Sequence, residues 1–117
     1  MCIFCKIVNG EIPSNKVLES EDALAFHDIN PKAPIHVLVI PKEHVESFHQ
    51  VTPEVMAKLT PFIQEVAKKL CIDKSGYRIV TNIGKEGGQE VPHLHFHILG
   101  GAPLVWDHKS ADPHKNI

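Results

Sequence analysis

Long apolar runs are missing from this sequence, and neither sign of charge dominates it. No stretch approaches the roughly 20 consecutive apolar residues that span a bilayer, and no basic segment followed by an apolar run marks a signal peptide at the N-terminus. We therefore expect a cytoplasmic protein that makes no contact with a membrane. Because 117 residues suit one hydrophobic core, we predict a single domain over residues 1–117, with an irregular polar tail over roughly 107–117.

The net charge is small and the cysteines are few. The formal net charge is -2, and the lysines and arginines are scattered, so no positive field attracts nucleic acid, although one nucleotide could bind in a pocket. The three cysteines are Cys2, Cys5 and Cys71. In a reducing compartment the C-x-x-C spacing of the first two indicates metal or redox chemistry rather than a structural disulfide. We interpret Cys71 as a small buried hydrophobe.

The predicted strands lie on both sides of a single long helix. Thr52 and Pro53 are typical of a helix start, and apolar residues at spacings of three and four continue to Leu70. Pro61 lies inside this pattern and should kink or split the helix, since it lacks a backbone donor. The predicted strands cover 17–20, 22–28, 36–40, 77–82 and 93–99. This order favours an antiparallel α+β domain over alternating β-α units.

What the sequence holds in quantity is histidine, with nine residues. The segment 93–99 reads H-L-H-F-H-I-L, so histidine alternates with large apolar residues. In a strand this places three imidazoles on one face and the apolar side chains on the other. Same-face neighbours are roughly 6.6 Å apart, which puts the outer two histidines at roughly 13 Å, so one metal ion bound by all three is not favoured. We expect the three histidines to have different roles.

A glycine-rich loop, G-K-E-G-G-Q over residues 84–89, precedes this strand. Glycines let backbone N–H groups approach an anion closely, although such a loop taken alone is more often an ordinary hairpin loop. A phosphate beside imidazoles on a rigid strand favours nucleophilic attack at phosphorus. Imidazole suits that role because its ordinary pKa of about 6.5 keeps the free base abundant at neutral pH.

The segment 93–99 resembles the signature of the histidine triad (HIT) family, His-φ-His-φ-His-φ-φ with φ apolar, at every position. Three further segments resemble the Hint (histidine triad nucleotide-binding) branch, in particular its bacterial, zinc-containing members. They are C-I-F-C-K-I-V-N-G-E-I-P-S at the start, F-H-D-I-N-P-K-A-P-I-H-V-L-V-I-P-K-E-H at 26–44 and R-I-V-T-N-I-G-K-E-G-G-Q at 78–89. The resemblance implies an antiparallel five-stranded sheet with two helices, assembled as a two-fold homodimer.

The resemblance also implies an enzyme that cleaves purine nucleoside phosphoramidates or acyl nucleotides. His95 would attack the α-phosphorus and form a nucleotidyl-histidine intermediate, which water then opens. His97 would contact the phosphate and the leaving group, and His36 would support the cluster by hydrogen bonding. Asp28 would bind the ribose hydroxyls. The other residues expected around the nucleotide are Ile3, Phe4, Ile7, Phe26, Ile29, Asn82, Gly88, Gln89 and Glu90.

A structural zinc ion is a further implication of the resemblance. Its ligands would be Cys2, Cys5, His44 and His93. Such a Cys₂His₂ set is of the closed kind that supports structure, and it would leave the other two triad histidines to serve the phosphate. From the residues alone, a redox pair and two free thiols remain alternatives for the cysteines.

Glu90 departs from animal Hint proteins, in which a serine often follows the loop glutamine. An ionised carboxylate cannot donate a hydrogen bond to a leaving group, so Glu90 would instead orient His97 or a water molecule. By the same resemblance, Trp106 is a candidate for the dimer interface and the pocket rim.

The alternative functions are a dinucleoside polyphosphate hydrolase, a nucleotide-binding interaction module with incidental activity, and a zinc enzyme that works through metal-bound water.

Overall fold

A computed structural model describes residues 2–106 of the chain. Its elements are α1 (Ile3–Val8), β1 (Lys16–Glu19), β2 (Ala23–His27), β3 (Ile35–Pro41), α2 (Pro53–Lys69), β4 (Arg78–Val80) and β5 (Phe96–Gly100). The strands form one sheet in the order β1-β2-β3-β5-β4, with every neighbouring pair antiparallel. This confirms the predicted α+β class, with a five-stranded antiparallel sheet and two helices.

Neither described helix is both long and apolar enough to cross a bilayer. The predicted polar tail over residues 107–117, with His108 and His114, lies outside the described residues.

The sheet buries a different set of side chains on each face, because side chains alternate along a strand. One set, which includes Ala25 and Val39, packs against α2. From the helix, Leu59, Ile63 and Val66 are buried against it. The predicted apolar stripe of α2 is therefore confirmed, and it forms the main core of the molecule.

The opposite face of the sheet carries a smaller core around α1. Buried Phe4 and Ile7 pack there with Leu38 of β3 and neighbouring apolar residues of β2. Residue patterns did not predict α1, because six residues are too few to show a helical period. His36 lies two residues before Leu38 and so shares its face, and His97 pairs with Leu38 across the sheet. These two candidate site histidines, His36 and His97, therefore lie on the α1 side.

The predicted strand over 93–99 is only partly correct, since β5 begins at Phe96. The backbone N–H of Leu94 donates to the carbonyl of Val45, in the loop after β3, at 2.6 Å. The first two triad histidines therefore lie in the segment that leads into the strand. The alternation still holds, because Leu94 and Phe96 both enter the core against α2.

Cys71 is exposed, so its interpretation as a buried hydrophobe is wrong. It follows Leu70 at the end of α2 with φ +60°, the left-handed conformation that glycine usually supplies at this position. The N–H of Ile72 donates to the carbonyl of Ala67, and that of Cys71 to Lys68, both at 3.0 Å. This pair of bonds is a Schellman motif, which satisfies the last carbonyls of α2.

Helix α2 runs unbroken through Pro61, so the predicted splitting of the helix is wrong. Proline removes the donor that would bond the carbonyl four residues earlier, which is that of Ala57. Both residues lie on the exposed side of α2. Water can therefore reach the carbonyl of Ala57 and bond it, which lowers the cost of the missing helical bond.

We expect Pro61→Ala to stabilise the protein. Alanine restores the missing N–H donor and removes the ring clash, while it also loosens the unfolded chain, so the free energy of unfolding should rise by about 1–2 kcal/mol. Urea unfolding followed by circular dichroism measures this change. The matched control is Pro53→Ala, which should change little, because the N–H missing at the first helical position has no partner in any helix. Equal effects at both positions would contradict the prediction.

Candidate active site and adjoining metal cluster

A cavity of about 530 Å³ lies on the α1 side of the sheet, within the size range of small-molecule sites. Its wall includes both histidines predicted to act on the phosphate, His95 and His97. Every residue predicted to surround the nucleotide also lines it, namely Ile3, Phe4, Ile7, Phe26, Asp28, Ile29, Asn82, Gly88, Gln89 and Glu90. The structure therefore brings the whole predicted set together around one space, with His36 directly behind His97.

Sequence reasoning missed several residues of the cavity wall, namely Pro13, Ser14, Asn15, His27, Lys32, Leu38, Lys85 and Val91. Leu38 could have been found, because it alternates with His36 along β3. Residues 13–15 carry no pattern of their own. They lie at the site beside the end of β2, where the N–H of His27 donates to the carbonyl of Asn15 at 2.9 Å.

Backbone hydrogen bonding determines which nitrogen of His95 carries its proton. Nδ1 lies 2.8 Å from the carbonyl oxygen of His93, and because a carbonyl can only accept, Nδ1 must be the donor. In the neutral ring this leaves Nε2 with a free lone pair. Desolvation by burial lowers the pKa of His95 below its usual value, so the ring stays neutral at physiological pH and remains nucleophilic.

A second chain of hydrogen bonds determines the proton positions of the other two histidines. The backbone N–H of Lys32 donates to Nδ1 of His36 at 3.0 Å, so the proton of neutral His36 is on Nε2. That nitrogen lies 2.8 Å from Nδ1 of His97 and donates to it. His97 therefore keeps its own proton on Nε2, whereas His95 keeps its proton on Nδ1. Desolvation by burial, followed by the repulsion that His95 and His36 would exert if they were protonated, lowers the pKa of His97 to about 4.

Asp28 lies beside this chain, since its Oδ2 is 3.4 Å from Nε2 of His36, farther than Nδ1 of His97 at 2.8 Å. Asp28, His36 and His97 are close enough together to suit a metal ion. However, Nδ1 of His36 already accepts the N–H of Lys32, and Nε2 would have to lose its proton to bind a cation. The tautomers favour a hydrogen-bond chain at this place over a metal site.

The side chain of Gln89 orders the glycine-rich loop. Its Oε1 accepts from the N–H of Gly84 at 3.0 Å, and its Nε2 donates to the carbonyls of Glu46 and Val91 at 2.7 and 3.0 Å. A Cβ at Gly87 would lie 2.2 Å from the carbonyl oxygen of Ile83. Glycine is therefore required there by the close approach of the backbone.

Four side chains meet at the N-terminus of α1, and we call them the metal cluster. They are the predicted zinc ligands Cys2, Cys5, His44 and His93. The six distances between their sulfur and Nδ1 atoms are 3.2, 3.7, 3.3, 3.2, 3.6 and 3.2 Å. A tetrahedral ion with bonds of about 2.3 Å to sulfur and about 2.0 Å to nitrogen spaces its ligand atoms about 3.3–3.8 Å apart. The donor set and its spacing therefore fit such an ion.

His93 connects the metal cluster to the candidate nucleophile. Its Nε2 donates to the carbonyl of Pro41 at 2.9 Å, so its Nδ1 presents a lone pair to the cysteines, as a metal ligand must. Its backbone carbonyl is the group that accepts the proton of His95 Nδ1. Partial desolvation, together with the nearby thiol of Cys2, raises the pKa of Cys5, so a cation would help to keep that thiol deprotonated.

Trp106 lies at the surface near the outer strand β4. Its side chain is 69% exposed, and the guanidinium of Arg78 lies over the ring at 5.9 Å. Arg78 also donates to the carbonyl of Val105 at 3.2 Å. The predicted place of Trp106 in a dimer interface stays a prediction.

An antiparallel five-stranded sheet with two helices, a cavity on one face, and three alternating histidines of which two line that cavity together define a histidine triad fold. The chain belongs to the HIT domain family, whose model matches residues 9–104. It is 57% identical over 101 residues to an uncharacterized HIT-like protein of Helicobacter pylori, covering 86% of this chain and 97% of the relative.

Solved structures agree with this assignment. A HIT family hydrolase from Legionella pneumophila is 42% identical with a TM-score of 0.87, covering 91% of this chain and 97% of that one. A histidine triad nucleotide-binding protein from Candida albicans is 35% identical with a TM-score of 0.80, covering 98% of this chain and 89% of that one. This protein thus resembles HIT family hydrolases along nearly all of the described residues.

Proposed function

We propose that this protein is an enzyme of the Hint branch that cleaves purine nucleoside phosphoramidates or acyl nucleotides through a nucleotidyl-histidine intermediate. The observation that carries the proposal is the opposite proton placement on two adjacent rings of the cavity wall. His95 has a free lone pair on Nε2, and His97 has a proton on Nε2. One imidazole is therefore ready to attack phosphorus, and its neighbour can donate a hydrogen bond to the group that leaves.

The proposed reaction has two steps. In the first, Nε2 of His95 forms a bond to the α-phosphorus and the bond to the leaving group breaks. The leaving atom accepts a hydrogen bond from Nε2 of His97 and takes a proton from a water molecule, which becomes hydroxide. In the second, the hydroxide forms a P–O bond and the bond between phosphorus and His95 breaks, which leaves both imidazoles neutral. Dividing the hydrolysis in this way replaces one difficult displacement with two easier ones.

The nucleoside would occupy the apolar end of the cavity. Ile3, Phe4 and Phe26 line that end, and the rings of Phe4 and Phe26 meet edge to face with their centroids 5.7 Å apart. Such a wall suits the flat face of a purine. Asp28 would then bind the ribose hydroxyls, and Asn82, Gly88 and Gln89 would surround the phosphate. The relatives named for nucleotide binding and for hydrolysis support this reading.

Zinc is the cation that we propose for the cluster at α1, with Cys2, Cys5, His44 and His93 as its ligands. Four protein ligands leave no open position for a reactive water, so these residues would have a structural role. This weighs against catalysis through metal-bound water. We also propose a cytoplasmic homodimer. The outer edge of β4, which pairs with no other strand among residues 2–106, offers a surface for it with the half-exposed Ile79.

The experiment that tests the function compares two substrate classes on the purified protein. AMP release from an adenosine 5′-phosphoramidate should be fast, and release from diadenosine tri- or tetraphosphate should be slower by about tenfold or more in kcat/KM, a difference of about 1.4 kcal/mol. The reverse order would favour the polyphosphate hydrolase. Tight AMP binding without turnover of either substrate would favour the interaction module.

The N–H of Lys32 offers a test of the proton chain, because proline at this position has no N–H. We expect Lys32→Pro to lower kcat about tenfold, since His36 could then hold its proton on either nitrogen and His97 would lose its fixed tautomer. Steady-state kinetics measures the change. Lys32→Ala keeps the N–H and is the matched variant, and it should lose much less. If both variants lose the same activity, the side chain rather than the backbone donor matters.

A further inference from the structure

We infer that the metal cluster determines nucleotide affinity, because its cysteine half holds in place the helix that forms the nucleoside wall. The inference rests on the proposed function only for the identity of the ligand. The cluster has two halves that are held differently. Cys2 and Cys5, the cysteine half, are positioned by α1, whereas His44 and His93, the histidine half, are positioned by neighbours in the core.

Cys2 and Cys5 are positioned by a helix that is too short to be stable by itself. Helix α1 has six residues, and isolated helices shorter than roughly 12–15 residues are marginal in water. Its N-cap group is the sulfur of Cys2, which accepts from the N–H of Cys5 at 3.2 Å. Apart from its ligands, α1 buries only Phe4 and Ile7. Ligation of the two cysteines would therefore add a restraint on the first turn that the helix itself lacks.

The same turn forms the nucleoside wall. Ile3 and Phe4 lie between the two cysteine ligands in the chain, and both line the cavity. The ring of Phe4 also contacts the rings of His93 and His95, with centroids 5.9 and 5.1 Å away. A shift of α1 would therefore move the aromatic surface on which a base would rest.

The histidine half is anchored from the other side of the sheet. Val45 and Leu94, which directly follow the two histidine ligands, are buried in the core against α2. Their backbones are joined by a hydrogen bond of 2.6 Å. His93 also keeps its bond to the carbonyl of Pro41. Loss of the cation should therefore free α1 while His93, and with it the proton acceptor of His95, stays in place.

The test compares the zinc-loaded protein with protein stripped by a chelator and desalted. We expect the Kd for AMP, measured by calorimetry, to rise at least about tenfold on zinc removal, which corresponds to about 1.4 kcal/mol. Hydrogen exchange of amides should accelerate in α1 and stay unchanged in β3 and α2. With the phosphoramidate, KM should rise more than kcat falls. Cys5→Ala should reproduce these changes in the presence of zinc, and Cys71→Ala, at the exposed thiol, should behave as the wild type.

Several outcomes would overturn the inference. An unchanged Kd with α1 still protected would show that the helix needs no ligation. Faster exchange in β3 and α2 as well would show that the cluster supports the whole fold, and failure of the purified chain to bind zinc would remove the premise. If the zinc-loaded protein binds no AMP, the proposed function fails instead, and the exchange rates of α1 alone then decide whether the cluster orders the helix.

Discussion

Replacing His95 with alanine is expected to reduce turnover of a phosphoramidate by at least about 10³-fold, because the covalent route loses its nucleophile. The fold should persist, because the truncated ring lines the cavity rather than the core against α2. Rapid acid quench of the wild type with labelled substrate should trap nucleotide on the protein, and the variant should trap none.

The control for this experiment is His49→Ala. His49 is exposed and lies outside the cavity wall, so turnover should match the wild type. Wild-type activity in His95→Ala would rule out this residue as the nucleophile. Catalysis by metal-bound water would then return as the leading explanation, and it would require that activity, rather than affinity alone, disappears on chelation.

Acid is expected to destabilise the protein through His97, whose pKa is lowered to about 4 by desolvation. In the unfolded chain the pKa of histidine is about 6.5, so the unfolded state takes up a proton first as the pH falls. The stability present above about pH 6.5 is therefore lost on the way down to about pH 4. The contribution of His97 to that loss is about 2 kcal/mol by pH 5 and about 3 kcal/mol in full.

This contribution is measured by urea unfolding of the wild type and His97→Asn at several pH values between about 7.5 and about 4.5. The range starts above the ordinary histidine pKa of about 6.5. Asparagine does not titrate, so the variant should lose less stability with acid. Protonation of the cysteine and histidine metal ligands affects both proteins alike and cancels in the difference. Parallel curves would contradict the lowered pKa of His97.

The strongest local patterns in the sequence predicted their elements well. The hydroxyl and proline at Thr52 and Pro53 start α2 as expected, and the apolar run over 36–40 lies within β3. The predictions that were wrong concern residues whose effect depends on the tertiary environment. Pro61 is tolerated because its side of α2 is exposed, and Cys71 occupies a position that the C-terminal turn of α2 imposes.

The sequence by itself determined the chemistry of the site, because alternating histidines, a C-x-x-C pair and a glycine-rich loop are patterns of adjacent residues. The tertiary structure decided which nitrogen of each imidazole is free. Those protons are set by backbone groups of Lys32 and His93, and by packing that lowers the pKa of the buried rings. It also joined Cys2 to His93 across 91 residues. Distance in space and desolvation arise only when the sheet and α1 are assembled, so no local pattern could reveal them.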